Sequence, residues 1–227
     1  MSTPITHLLY LHGFRSSPQS TKARQMAAWM QAQHPQVQWW CPQLPPSPAE
    51  AAQRIAQGTR DWPSASMGVV GSSLGGFYAT WLAQQRVANA ASTSADMASP
   101  RAVLINPAVT PERSLAQHLG EHSAWHDPQT RFAFTRAHLD ELRALQTGPL
   151  QQPERFLAII AKGDEVLDWR EMLARYQSAP HVLLEGGDFD SMLAHEARQL
   201  QKVFATGDLK EGIAAFQQRR RPVFAGR

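Results

Sequence analysis

Gly71-Ser72-Ser73-Leu74-Gly75 sets a serine between two glycines at the spacing G-x-S-x-G. The run Met67-Gly68-Val69-Val70 precedes it and a helix-like stretch, Phe77-Tyr78-Ala79-Thr80-Trp81-Leu82-Ala83, follows. Between a strand and a helix this spacing carries chemistry. The turn is so tight that its serine is forced into a strained backbone conformation, and only small residues fit two positions either side. The Ser73 hydroxyl then stands clear of the sheet as a nucleophile. The backbone N–H of Leu74 opens the helix and points to where an oxyanion would develop. Outside that context the same residues are only a Gly/Ser-rich turn.

Acyl transfer by a serine needs a base, an acid that orients the base, and oxyanion donors. Behind a turn of this kind the chain order is Ser, then Asp or Glu, then His. Asp164, in Gly163-Asp164-Glu165, has the right place for the acid. Its alternative reading is a Gly-Asp turn. Glu165 is a second choice, and Asp168 has sufficient reason to exist as a helix cap. Phe14, in the loop His12-Gly13-Phe14, supplies the second oxyanion N–H beside Leu74. His12 precedes the serine and is expected to brace that loop.

These residues need elements to carry them. Apolar runs predict strands at Thr6–Leu11, Val37–Cys41, Met67–Gly71, Arg101–Ile105, Arg155–Ala161 and His181–Glu185. Helical spacing marks Thr21–Gln33, Ser47–Gln57 with Ser47 and Glu50 as a capping box, Leu74–Val87, a helix capped by Asp168, and Asp190–Ala205. Asn89–Ser99 reads as a loop. The alternation stops over 108–153, read as a small helical lid. Strands separated by helices imply an α/β fold: a mostly parallel six-stranded sheet with helices on both faces. Ligands bind such sheets beyond the carboxyl ends of the strands. His12, Ser73, Asn106, Asp164 and Asp188 each follow a strand, so they should share one rim. The domain is expected to span 1–205, with a basic tail over 206–227.

The 227 residues, 43% hydrophobic and 18% charged, suit one sizeable core. One cysteine, Cys41, excludes an internal disulfide and suits a reducing compartment, so a cytoplasmic location is expected. No apolar run reaches the length of a membrane span. From Arg198 onward seven basic residues oppose two acidic ones, so that end carries +5 of a net +3 and the remainder −2. The body is therefore not basic, and no nucleic-acid partner is expected. His118, His122 and His126 fall at i, i+4 and i+8, a metal-capable stripe on a continuous helix. Gly120 interrupts that stretch and Pro128 closes it, so no metal or cofactor is expected.

His12-Gly13-Phe14 with Ser16-Ser17-Pro18, Pro42-Gln43-Leu44-Pro45, Gly71-Ser72-Ser73-Leu74-Gly75-Gly76, Asn106-Pro107-Ala108 and Gly163-Asp164-Glu165-Val166-Leu167-Asp168 together resemble the YqiA-like esterases, small single-domain bacterial α/β-hydrolases. The resemblance covers about residues 5 to 205. It implies hydrolysis of carboxylic esters or acyl thioesters, with Ser73 as nucleophile and Asp164 as acid. It also exposes a departure. The family's histidine follows a Gly-Gly-Asp or Gly-Gly-Asn loop, whereas Gly186-Gly187-Asp188 is followed here by Phe189-Asp190-Ser191-Met192. His195 is the nearest substitute. On its helix it lies nearly opposite the apolar face formed by Leu193, Ala197, Leu200 and Phe204, which fits a solvated position. A lid histidine reaching Ser73 from above is the other option. Two functions of different classes follow: a serine hydrolase of reduced activity, or a binding or regulatory protein on the same scaffold.

Overall fold

The computed structural model describes residues 3–93, 99–124 and 127–186. Six strands form one sheet: β1 (His7–Leu11), β2 (Gln38–Trp40), β3 (Met67–Ser72), β4 (Arg101–Ile105), β7 (Phe156–Ala161) and β8 (His181–Leu184). The remaining two, β5 (Gly120–Ala124) and β6 (Asp127–Phe134), make a separate antiparallel hairpin. Among the described residues the α-helices are α1 (Thr21–Gln33), α2 (Pro48–Gly58), α3 (Leu74–Thr93), α4 (Pro111–Ser114), α5 (Arg136–Ala144) and α6 (Trp169–Tyr176).

The sheet order is β2-β1-β3-β4-β7-β8, and every neighbouring pair is parallel. All six strands therefore end at the same edge. The chain adds β2 on one side of β1 and then returns to add β3 on the other. The switch point of the sheet lies between β1 and β3, where an open α/β sheet leaves a crevice for ligands.

Alternating side chains separate the two faces. Leu9 and Leu11 of β1 join Val69, Leu104, Ala158 and Ile160 in the main core under α2, α3 and α6. Tyr10 and Val70 point the other way and pack with Ala23 of α1. Helix starts follow local capping chemistry. Ser47 Oγ accepts from the Glu50 N–H at 3.2 Å, and Asp168 Oδ1 accepts from the Arg170 N–H at 2.9 Å.

Two sequence expectations need correction. Asn89–Ser99 does not begin a loop, because α3 continues to Thr93. Alanines 90 and 91 sustain it, and alanine is the best helix former. The lid is not built from helical pieces alone, since Gly120–Ala124 pairs with Asp127–Phe134. His118 stands in a 3-10 turn (Ala116–His118) and His122 in β5, so the i, i+4 spacing is not a helical stripe. Gly120, at φ +123°, starts the strand in a conformation that favours glycine. His126, Asp188, Phe189, His195, the expected last helix and the tail over 206–227 lie outside the described residues.

Candidate active site

Ser73 occupies the turn between β3 and α3, at φ +53°. A non-glycine residue in the left-handed region carries about 1–2 kcal/mol of strain. The surroundings hold it there through its backbone. Its N–H donates to Ile105 O at 3.0 Å, and its carbonyl accepts from the Ala108 and Gly76 N–H groups at 3.0 and 2.9 Å. The glycines are required by close backbone approach. A Cβ on Gly71 would lie 2.3 Å from Gly75 O, and one on Gly75 would lie 1.9 Å from Leu11 O. Ser73 itself is half-buried, while Ser72 and Leu74 are buried. Helix α3 starts at Leu74, so the first N–H groups of this helix have no partner within it.

Gly13 brings the loop after β1 to Ser73. A Cβ there would stand 3.3 Å from Ser73 Cβ and 3.7 Å from Ser73 Oγ. The loop turns at Gly13–Ser16, where the Ser16 N–H donates to Gly13 O at 3.2 Å and Arg15 sits at φ +59°. His12, 3% exposed, braces it from below. Its Nε2 accepts from the Leu44 N–H at 3.3 Å, so the ring proton sits on Nδ1, which donates to Gly13 O at 3.0 Å. The bracing role expected of His12 is thus the one its nitrogens perform.

Phe14 meets the insertion. Its ring lies 5.1 Å from Phe134 and 6.1 Å from Phe132, both edge-on, and 5.9 and 5.8 Å from His118 and His122. Arg15 Nε donates to Ser123 O at 3.0 Å, tying the same loop to β5. Burial lowers the His118 pKa below its ordinary value, and the neighbouring His122 and Arg15 lower it further. His122 Nε2 bonds the His118 carbonyl, and His138 Nδ1 accepts from the Thr135 N–H at 3.2 Å at the start of α5. Among the described residues, no imidazole is hydrogen-bonded to Ser73 Oγ.

Asp164 follows β7, two strands along the rim from Ser73. Two strand spacings of ~4.8 Å put the strands that carry them, β3 and β7, about 10 Å apart. Asp164 Oδ1 accepts from the Val166 and Leu167 N–H groups at 3.0 and 2.9 Å. Its Oδ2 accepts from Asn106 Nδ2 at 2.9 Å. Asp164 is half-buried, whereas its neighbour Glu165 is exposed. Asp168 caps α6, as its position implies.

The sequence placed Asn106 on this rim without a role. The available signal was Asn-Pro directly after an apolar strand, since asparagine tolerates the left-handed region. Burial of the half-buried Cys41 raises its thiol pKa to about 12, which favours the protonated thiol over the nucleophilic thiolate. Among the described residues, no group of three or more His, Cys, Asp or Glu side chains could hold a metal ion. Likewise, no described helix is long and apolar enough to cross a membrane.

A parallel sheet with a left-handed serine between β3 and α3, and an anchored carboxylate after β7, defines an α/β-hydrolase fold. Solved structures agree on this fold. The chain is similar to a protein of Agrobacterium vitis S4 designated a hydrolase (17% identity, TM-score 0.61, covering 89% of this chain and 90% of that one). It is similar to mouse alpha/beta hydrolase domain-containing protein 10 (12% identity, TM-score 0.57, 87% and 90% covered). A third similar structure is the esterase domain of a Rhodothermus marinus protein (16% identity, TM-score 0.57, 95% and 88% covered). Residues 7–206 match the uncharacterised protein family UPF0227, and the chain belongs to that family.

Proposed function

We propose that this protein is a serine hydrolase acting on carboxylic esters or acyl thioesters. The observation that carries the reading is Ser73 at φ +53°, with a glycine, Gly13, where a side-chain Cβ would stand 3.7 Å from its Oγ. The strained turn, the close glycine and the carboxylate two strands away are parts of what such chemistry needs besides a base. Ser73 Oγ attacks the carbonyl carbon while a base takes its proton. The N–H groups of Leu74 and Phe14 receive the oxyanion. Collapse expels the alcohol or thiol with that proton, and water then hydrolyses the Ser73 ester. Asp164 orients the base. His195 is the candidate base by chain order, and it lies outside the described residues.

Phe189 follows Gly186-Gly187-Asp188, where the resemblance to the YqiA-like esterases implies a histidine. That observation favours reduced turnover, and it also supports a second reading as a binding or regulatory protein. An assay with a short p-nitrophenyl ester separates the two. The hydrolase reading expects weak turnover, below the ~10 per second of an ordinary enzyme, abolished by Ser73→Ala. Changing His195, His118, His122 and His126 singly would identify the base. Turnover indifferent to Ser73→Ala, or none at all, contradicts the hydrolase reading.

A further inference from the structure

Asn106 directly follows β4, the strand between those that carry Ser73 and Asp164. It is 4% exposed and sits at φ +41°. Its side chain makes two bonds in opposite senses. Oδ1 accepts from the Ala161 N–H at 2.8 Å, and Nδ2 donates to Asp164 Oδ2 at 2.9 Å. A backbone N–H can only donate, so the Ala161 contact fixes which end of the amide is oxygen and aims the NH2 at the carboxylate. The Asn106 backbone N–H also donates to Ile159 O at 2.9 Å, locking the residue to β7.

The same segment grips the nucleophile. Ile105 O accepts from the Ser73 N–H, and the Ala108 N–H donates to Ser73 O, both at 3.0 Å. Pro107 fills the space beside Gly76, where an added Cβ would meet Pro107 Cβ at 2.7 Å. Four consecutive residues, 105 to 108, therefore hold the serine through its backbone and the acid through a side chain.

We infer that Asn106 is the positioning residue of this site: it aims Asp164 Oδ2 at the base, and the 105–108 segment sets the spacing of acid and nucleophile. This rests on the reading of Asp164 as the orienting acid. Asp164 Oδ1 is occupied by two turn N–H groups. Oδ2 carries the single Asn106 bond and keeps a lone pair for an imidazole N–H. Without the Asn106 donor, the carboxylate is pinned at one oxygen only and pivots about it.

Asn106→Asp in the full chain tests this. The change retains an acceptor for the Ala161 N–H and tolerance of the left-handed backbone, but turns the donor into a second acceptor facing Asp164. The expected result, at an unchanged circular-dichroism spectrum, is a fall of about 30-fold or more in Ser73-dependent kcat/KM near pH 8. A displacement of 1 Å can cost about a hundredfold. The loss should lie in kcat, with KM within about threefold. It should narrow as pH falls, because a proton taken up between the two facing carboxyls bridges them. A folded variant with kcat/KM within about threefold of wild type at every pH overturns the proposal. Placement is read separately in crystal structures of Asn106→Asp and of Asn106→Ser, the latter serving if the former does not fold. A shift of Asp164 Oδ2 by about 1 Å or more supports the inference, and an unmoved Oδ2 overturns it. A wild-type chain without Ser73-dependent turnover counts against the hydrolase reading, and these structures then decide the positioning role by themselves.

Discussion

Two arms meet at Ser73, and they are held by different means. The turn from β3 into α3 is held by backbone fit: Gly71 against Gly75, Gly75 against Leu11, and Ser73 bonded to Ile105 and Ala108. The loop after β1 is held by side chains from more than a hundred residues downstream: Phe14 under Phe132, Phe134, His118 and His122, and Arg15 on Ser123. Backbone fit tolerates no added atom. Side-chain fit tolerates change in steps, so the second arm can be loosened without destroying the first.

The largest expected effect follows from breaking the backbone arm. Gly75→Ala drives a Cβ to 1.9 Å from the Leu11 carbonyl, and no rotamer relieves a clash with backbone. A loss of about 4 kcal/mol or more, or no soluble protein, is expected. Gly148→Ala is the control, because nothing lies within 4 Å of its added Cβ. It should stay within about 0.5 kcal/mol. Urea denaturation of both variants checks the contrast.

The side-chain arm should yield in part. Phe134 is 2% exposed and packs edge-on against Phe14. Phe134→Leu should cost about 2 kcal/mol and lower Ser73-dependent turnover in a folded chain, since the Phe14 N–H is then less well placed. Unchanged turnover at that stability cost would separate the insertion from any role of the loop after β1 in turnover.

Glu141 anchors the insertion at its other end. Its Oε2 accepts from Ser47 Oγ at 2.8 Å and from the Ala49 N–H at 3.1 Å, at the start of α2. A carboxylate there also meets the positive end of the helix. Glu141→Ala should destabilise by about 1 kcal/mol, with little effect on turnover. A loss of activity larger than the loss of stability would mean that α5, too, sets the site.

The smallest expected effect is a pH dependence of the side-chain arm. The folded pKa of His118 lies below its ordinary value of 6.5, first through burial, then through His122 and Arg15. As pH falls the unfolded chain takes up its proton first. The stabilising contribution is therefore complete above about pH 6.5 and is lost as pH drops through the folded value. The thermal midpoint should fall between pH 7.5 and 5.5, and His118→Gln should blunt that fall. An equal fall in both proteins would leave His118 out of the effect.

The same contrast explains what the sequence made legible. The backbone arm is encoded locally. Apolar strands β1, β3, β4 and β7, the glycine spacing around Ser73 and the caps at Ser47 and Asp168 all announce themselves within a few residues. The side-chain arm is encoded at long range. Gly120-Glu121-His122-Ser123-Ala124 is polar and low in β propensity, so nothing local marks it as a strand. It becomes one by pairing His122 with Phe132 and Gly120 with Phe134. The spacing of His118 and His122 imitates a helix that Gly120 breaks. Asn106 fell between these cases: its position was readable, but its bonds to Ala161 and Asp164 need residues more than fifty positions away.

Whether Ser73 is a nucleophile is decided most directly by the mass of the chain after exposure to a fluorophosphonate. The account predicts one phosphonyl adduct, mapped to Ser73, absent in Ser73→Ala and slower to form in Asp164→Ala. A folded wild-type chain that takes up no adduct at Ser73, or takes it up at the same rate without Asp164, would contradict it.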